Sequence, residues 1–417
     1  MDMTHTSEIT DMQETVRTYP FSRIRLDHDP LYAELRQEEP VCRIQLPHGP
    51  PAWLVTTHQL AKTVLADPRF SREATLDRDI PRYSAVDIGQ VPESILSMDS
   101  PKHTRIRQLV GRALTARRVE RLRPRVQQVA SGLIDDMKAA GTSADLVEGF
   151  SFPLPVIVIS ELLGVPWEDR HTFRRWADGT VPAEGITLEY QQDCFANLFG
   201  YLAGQFEQRR SHPRDDLLTW LVQARDEQDR LTEDELLFLG MALLVGGYET
   251  TARQITNMLY TLLTHPAQLR QLRERPELVP TAVEELLRFI AFGTAINARI
   301  AMTDVQLGDI LVQAGEPVLC ANGSANNDES VFSDPGDLDI TRHPNPHLSF
   351  GHGPHVCIGA QLARVELQVA LETILDRLPG LRIAVPESYL VWETETVMRG
   401  LATFPVTWDA DPASQTS

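Results

Sequence analysis

The 417-residue sequence has few cysteines and no long apolar segment. Its four cysteines lie far apart, which excludes the disulfide framework of a small secreted domain and fits a reducing compartment. No stretch offers the roughly eighteen unbroken apolar residues that a membrane-spanning helix needs, and the polar segment 1–25 lacks the features of a signal peptide. We therefore expect a soluble protein of the cytoplasm without a membrane anchor.

Basic residues are outnumbered by acidic ones. The chain has 39 Lys and Arg against 58 Asp and Glu, a formal net charge of −19, which disfavours a nucleic acid as a partner. It carries no nucleotide or flavin fingerprint, internal repeat or low-complexity tract. With 42% hydrophobic residues the chain can bury a large core. We expect one domain over residues 19–408, between flexible tails at 1–18 and 409–417.

Helical patterns dominate, with a small β-rich part near the N-terminus. Segments 41–46 and 52–56 flank a Pro- and Gly-rich turn and predict a hairpin. A capping box at Thr232 and Glu235 starts an apolar pattern that runs to His265, where Pro266 ends it, predicting a helix of about 50 Å. Further helices are predicted at 104–116, 119–138, 279–288 and 358–378, and strands at 305–312, 317–320, 381–384 and 404–408.

One cysteine lies where a loop leads directly into an apolar helix. Cys357 is near the end of the run from Phe350 to Gly359. The N-terminus of a helix stabilises an anion, and thiolate is the form of cysteine that binds metal. Gly353 and Gly359 let the backbone pass close to a flat ligand. Cys357 is therefore a candidate iron ligand.

Two other interpretations of this loop stay open. Cys357 can be a small buried hydrophobe, the usual fate of a free cysteine. The loop can also be a zinc site, because four histidines crowd the same stretch, although structural zinc usually has paired cysteines that this chain lacks. These histidines are His343, His347, His352 and His355.

The run 350–359 resembles the haem-binding loop of the cytochrome P450 family, in which Phe, Gly, a basic residue, Cys and Gly recur at these positions. All five positions match, and they include Phe350, His355, Cys357 and Gly359. With the motifs below, the resemblance covers about residues 20–408. It implies a mainly α fold with a small β-rich region, the triangular helical prism of the family. Haem b then lies between a long distal helix and the cysteine loop, with Cys357 as the thiolate ligand.

Two adjacent glycines, Gly246 and Gly247, lie within the long predicted helix and cost about 2 kcal/mol relative to alanines. They indicate either close helix packing or a local opening of the helix. The segment resembles the oxygen-activation motif of the same family, which implies that Gly246 approaches the cofactor and that Glu249 and Thr250 relay protons. Tyr248 stands where the family more often has histidine or alanine, and its effect on the distal pocket is left open.

Glu285 and Arg288 lie three residues apart on one predicted helical face. On its own this pair indicates a weak surface salt bridge. The resemblance implies instead a buried structural pair that Arg342 joins. It also implies four residues that contact the haem propionates: His103, Arg107, Arg299 and His355.

The resemblance implies a monooxygenase that oxidises a small, largely apolar molecule, such as a secondary metabolite of antibiotic biosynthesis, by hydroxylation, epoxidation or oxidative coupling. Its two electrons then come from partners, a ferredoxin and a ferredoxin reductase. Two alternatives are peroxide-driven oxidation and a non-catalytic haem protein that binds a ligand. The predicted substrate pocket comprises Leu243, Leu244, Gly247, Phe292, Thr294, Ala295, Ile296 and Val397.

Overall fold

Helices form most of the structure, a computed structural model that describes residues 16–22, 24–84, 91–180, 186–226, 231–295, 297–393 and 396–410. The first seven helices are α1 Leu31–Glu38, α2 His58–Ala66, α3 Lys102–Ala113, α4 Ala116–Glu120, α5 Arg123–Ala140, α6 Pro153–Leu163 and α7 Arg170–Asp178. The next seven are α8 Leu188–Ser211, α9 Leu217–Asp226, α10 Glu233–Thr264, α11 Pro266–Glu274, α12 Val279–Phe289, α13 Asn322–Ala325 and α14 Ala360–Arg377. The mainly α fold predicted from the sequence is confirmed.

Short strands build the β-rich part. The strands up to residue 320 are β1 Arg17–Thr18, β2 Val41–Gln45, β3 Ala52–Val55, β4 Phe70–Ser71, β5 Ser143–Asp145, β6 Arg299–Ala301, β7 Val305–Leu307, β8 Ile310–Val312 and β9 Pro317–Cys320. The later ones are β10 Arg382–Ile383, β11 Trp392–Glu393, β12 Gly400–Leu401 and β13 Pro405–Thr407. A six-stranded sheet has the order β1-β2-β3-β9-β6-β4. The predicted hairpin is confirmed as β2 and β3, which pair antiparallel with Val41 opposite Val55.

Helix α10 crosses the hydrophobic core and packs against α6, α8, α12 and α14. It begins as predicted, because the Thr232 hydroxyl accepts from the backbone N–H of Glu235, and the Glu235 carboxylate accepts from the N–H of Thr232. It ends at Thr264, one residue before the predicted end. Apolar residues on most of its faces are buried, which explains why other helices surround it.

Some boundaries differ from the prediction. The predicted strand 305–312 is two antiparallel strands, β7 and β8, because Gly308 adopts a positive φ of 60° and turns the chain. Arg17 and Thr18, assigned above to a tail, pair with β2, and the backbone N–H of Asp409 donates to the carbonyl of Pro379. Segments 1–15 and 411–417 lie outside the described residues.

Within the described ranges, no helix combines the length and the apolar character that crossing a bilayer requires.

Candidate active site

The cysteine loop is tied down on both sides of Cys357. The backbone N–H of Cys357 donates to the carbonyl of Phe350 at 2.7 Å, which closes the loop. Gly359 is the N-cap of α14, so the cysteine lies two residues before the helix. Gly353 has φ 70°, and a Cβ there would meet the Leu65 carbonyl at 2.5 Å. The glycine at 353 is therefore needed for packing against α2 rather than for the approach of a ligand that we predicted.

The Cys357 side chain is exposed to solvent although many protein atoms surround it, as for a group on the floor of a concave surface. Burial raises the pKa of its thiol. The N–H groups of Gly359 and Ala360 and the charges of Arg107 and Arg364 act in the opposite direction without outweighing burial. A coordinated metal cation removes the thiol proton outright, so the raised pKa does not oppose ligation.

Residues predicted to contact propionates meet beside the cysteine. The rings of His103 on α3 and His355 in the loop lie 4.2 Å apart, centroid to centroid. Burial and the neighbouring charges of His103, Arg299, Arg72 and Arg107 lower the pKa of His355 to about 2. In either protonation state its imidazole offers an N–H donor, while the arginines supply positive charge.

The Glu285–Arg288 pair is wholly buried, with both side chains at 0% exposure. Two bonds of 2.8 Å join their carboxylate and guanidinium groups, and Arg342 donates its Nε–H to Glu285 at 3.0 Å. The surface salt bridge is thus ruled out. Asn326 links this cluster to the cysteine loop, because its side chain accepts from the Leu348 N–H at 2.6 Å and donates to Ser349 at 2.8 Å.

The two glycines of α10 serve different faces of the helix. A Cβ at Gly247 would lie 2.6 Å from Ile159 on α6, whereas a Cβ at Gly246 would meet nothing within 4 Å. Helix α10 continues through both glycines, so the helix is not interrupted there. Tyr248 is fully buried and packs edge-to-face on Phe152, at 5.5 Å between ring centroids. Gly247 is therefore a packing residue, and Tyr248 is part of the core.

Glu249 and Thr250 make hydrogen bonds in opposite directions along α10. The Thr250 hydroxyl is exposed and donates to the Gly246 carbonyl at 3.2 Å, one turn towards the N-terminus. The Glu249 carboxylate accepts from Arg253 at 2.6 Å, one turn towards the C-terminus. The two residues are adjacent on the helix, but Glu249 and Thr250 do not bond to each other: Glu249 bonds to Arg253 and Thr250 to Gly246.

The predicted pocket residues fall into three groups. Phe292 and Thr294 join the C-terminal segment through backbone bonds, since Arg399 N–H donates to Phe292 O at 2.7 Å and Thr294 N–H to Val397 O at 3.0 Å. The N–H of Ala295 donates to the Tyr19 hydroxyl at 3.0 Å. On α10, Leu243 is 8% exposed and Leu244 is wholly buried in the core. Leu244 and Gly247 thus do not fit the predicted lining, and Ile296 lies outside the described residues.

The donor set fits haem with a cysteine ligand. Haem carries two carboxylates. Two imidazoles and the guanidinium groups of Arg107 and Arg299 lie beside the sulfur. Among the described residues, no carboxylate forms an ion pair with Arg107. A methyl group on Gly359 would contact only the Cys357 sulfur, at 3.9 Å. No neighbouring protein atom therefore demands glycine at 246 or 359, as expected where a flat group passes.

The zinc interpretation finds no matching geometry. His347 bonds to Glu284 at 3.0 Å and His355 stacks on His103, so two of the four histidines have other partners. In the described part of the chain, no group of three or more His, Cys, Asp or Glu side chains is arranged to hold a metal ion.

The site fits a haem-thiolate protein. An exposed cysteine lies just before a helix, and donors for two carboxylates stand beside it. The chain belongs to the cytochrome P450 family, whose sequence model, described as Cytochrome P450, matches residues 188–379. It is similar to the Mycinamicin IV hydroxylase/epoxidase of Micromonospora griseorubida, with 47% identity over 394 residues, 94% of this chain and 98% of that protein. The Nocardicin C N-oxygenase of Nocardia uniformis subsp. tsuyamanensis is 49% identical over 397 residues, with the same coverage.

Solved structures agree with the sequence relatives. The crystal structure of HinD with NMFT and NO has a TM-score of 0.91 and 44% identity, and the match covers 94% of this chain and 100% of that one. The protein is thus a P450 monooxygenase, which uses a thiolate-ligated haem, external redox partners and a small-molecule substrate.

Two residues that position the site were missed from the sequence. Arg364 lies 4.6 Å above the Phe350 ring and bonds to Glu284 at 2.7 Å. Arg253 pairs with Glu249 at 2.6 Å. The spacing of four residues between Glu249 and Arg253 on a predicted helix could have indicated their pair. Arg364 belongs to no distinguishing motif, so no sequence signal separated it from surface cations.

Proposed function

We propose that Cys357 ligates haem b and that the protein oxidises a small, largely apolar secondary metabolite in the cytoplasm, with electrons from a ferredoxin and a ferredoxin reductase. The observation that carries the proposal is the meeting of His103, His355, Arg107 and Arg299 beside the accessible sulfur. When bound, haem with a thiolate ligand activates dioxygen, using two electrons and two protons, and places one oxygen atom in the substrate and the other in water.

The residues of this chain supply position and protons. Arg107 and Arg299 offer charge to the propionates, and His103 and His355 offer N–H groups. The loop hydrogen bond from Cys357 to Phe350 fixes the sulfur, and the buried Glu285 cluster fixes the chain around the loop. Thr250 presents an exposed hydroxyl on the face of α10 that carries Gly246, with the Glu249 carboxylate beside it as the proton carrier.

The substrate class rests on the relatives. The two curated relatives act on mycinamicin IV and nocardicin C by hydroxylation or epoxidation and by N-oxygenation. Because such close relatives differ in reaction, the bond that this protein oxidises depends on how the pocket orients the substrate. External electron donors follow from the lack of a nucleotide or flavin fingerprint in the chain. The cytoplasm is supported by four free cysteines.

Turnover with redox partners tests this proposal. Candidate metabolites are first screened for the low-to-high-spin shift of the haem protein, and binders are then incubated with ferredoxin, reductase and reduced nicotinamide cofactor. We expect oxidised product that depends on all three. Product with hydrogen peroxide alone would favour the peroxide-driven alternative, and a spin shift without product under either condition would favour a ligand-binding protein.

Thr250→Ala tests the proton role. We expect the product formed per electron pair consumed to fall at least about tenfold, because a positioned proton donor typically raises the rate of proton transfer by at least that factor. Thr264→Ala is the matched control. The Thr264 hydroxyl also donates to a carbonyl one turn earlier, and Thr264 lies about 21 Å from Thr250 along α10. Equal coupling in both variants would remove Thr250 from the relay.

A further inference from the structure

One guanidinium bridges two carboxylates next to Thr250. Arg253 donates its Nε–H to Glu249 at 2.6 Å, and its Nη1 contacts Glu393. The exposed fractions of the three side chains are 13% for Glu249, 15% for Arg253 and 31% for Glu393. The cluster is thus half-buried, with Glu393 on its solvent side.

The cluster joins α10 to the sheet of β11 and β12. Glu249 and Arg253 lie one turn apart on α10, and Glu393 is the last residue of β11. Arg253 also lies against the start of β12, because a Cβ at Gly400 would be 3.3 Å from its Nη1. The guanidinium is held from both sides and has little freedom to follow Glu249 if that carboxylate turns away.

Charge limits what Arg253 can do. An arginine keeps its proton at any physiological pH, so it does not relay protons and only holds the carboxylate. The Glu249 oxygen that accepts from Arg253 serves Thr250, which bonds in the other direction along the helix, only when this contact opens. Two carboxylates surround one positive charge and repel each other, so each offsets part of the attraction that holds the other at Arg253.

We propose that Glu393 is a positioning residue of the oxidation: by competing for Arg253 it keeps Glu249 loosely bound and able to turn to Thr250. This inference rests on the proposed function, because it concerns the proton carrier assigned there. Without Glu393, Arg253 binds Glu249 more tightly and proton delivery slows.

Coupling measurements in the working enzyme test the direction of the effect. We expect Glu393→Gln to lower the product formed per electron pair by about two- to fivefold, the range that half-exposed ion pairs allow. Adding Arg253→Gln to that variant should restore coupling to at least the wild-type value, because Glu249 is then released. A purely structural cluster would instead lose more coupling with the second change, and that result, or an unchanged Glu393→Gln variant, would overturn the proposal.

A second measurement needs no turnover. A double-mutant cycle of Glu249→Gln and Arg253→Gln, read from urea unfolding of the haem-loaded protein, gives the coupling of this pair in the folding equilibrium. In a Glu393→Gln background we expect this coupling, expressed as a ratio of unfolding equilibrium constants, to grow by about two- to fivefold. Asp409→Asn, which removes an exposed carboxylate paired with Arg382 at 2.9 Å, is the control background and should leave it unchanged.

The two measurements separate this inference from the proposed function. If no candidate metabolite is oxidised, the function fails while the cycle still reports whether Glu393 weakens the Glu249–Arg253 pair. Equal coupling with and without Glu393 would overturn the inference even in a fully active enzyme.

Discussion

Two charged clusters of inverse composition flank the site. In one, a single carboxylate, Glu285, lies between two arginines, Arg288 and Arg342, and both Glu285 and Arg288 are at 0% exposure. In the other, a single arginine lies between Glu249 and Glu393, and all three side chains touch solvent. The same chemical groups therefore occur once enclosed and once half-open.

Satisfaction of hydrogen bonds explains what this difference means. Glu285 also accepts from the backbone N–H of Asp339 and from Asn345, both at 3.1 Å, so its oxygens are saturated within the protein. Arg288 donates to carbonyls of Asn326 and Pro335. A buried and saturated cluster fixes one geometry, whereas Glu249, Arg253 and Glu393, at 13%, 15% and 31% exposure, keep contact with solvent and can exchange partners with it. The first suits the frame around the cysteine, and the second suits a group that moves.

Breaking the enclosed cluster should have the largest effect. Glu285→Gln leaves the fully buried Arg288 and the 11% exposed Arg342 without their carboxylate, and we expect a loss of about 3–5 kcal/mol in the free energy of unfolding. Glu393→Gln, the matched change in the half-open cluster, should cost less than about 1 kcal/mol. Urea unfolding of both variants measures this. Similar losses in the two would contradict the distinction between the clusters.

The glycine pair of α10 gives a second contrast between an enclosed and an open face. Gly247→Ala places a methyl group 2.6 Å from Ile159, and we expect a loss of about 1–3 kcal/mol from overpacking. Gly246→Ala meets no protein atom within 4 Å, so the haem-free chain should gain up to about 1 kcal/mol from helix propensity. Thermal unfolding checks both variants. A loss in Gly246→Ala as large as that in Gly247→Ala would show that residue 246 is also packed.

Glu366 on α14 is a third case, a buried carboxyl that has no hydrogen-bond partner among the described residues. Burial raises its pKa well above 4.5. A raised pKa means that the folded state holds the proton more tightly, so its contribution is favourable below about pH 4.5 and is lost as the pH rises towards the folded pKa.

We therefore expect the Glu366→Gln variant to gain stability relative to wild type as the pH rises, by at most about 1.4 kcal/mol per pH unit. Unfolding between about pH 5 and pH 8 measures the difference between the two proteins. Parallel curves over this range would mean that Glu366 is ionised or paired in the folded protein.

Local signals account for the parts of the fold that were predicted. The start of α10 follows from Thr232 and Glu235, which satisfy each other's backbone within four residues, and its end from Pro266. The cysteine loop was recognisable because it is contiguous. Helix α6 was not predicted, because it is apolar on all sides and includes the β-branched run 156–159, which carries no helical period.

Long-range partners outside the family motifs could not be predicted from the sequence. Arg253 and Glu393 meet only because β12, which pairs with β11, lies against α10, and neither residue belongs to a motif. The separate roles of Gly246 and Gly247 also depend on which face α6 covers. Periodicity places residues on a helix, but the neighbours of each face are set by tertiary packing.

The reduced carbon monoxide spectrum of purified protein tests most directly whether Cys357 holds the haem. We predict a red-shifted Soret band in the wild type and in Cys194→Ala, which removes a buried sulfur on α8, and loss of that band in Cys357→Ala. A red-shifted band that persists in Cys357→Ala would contradict the account.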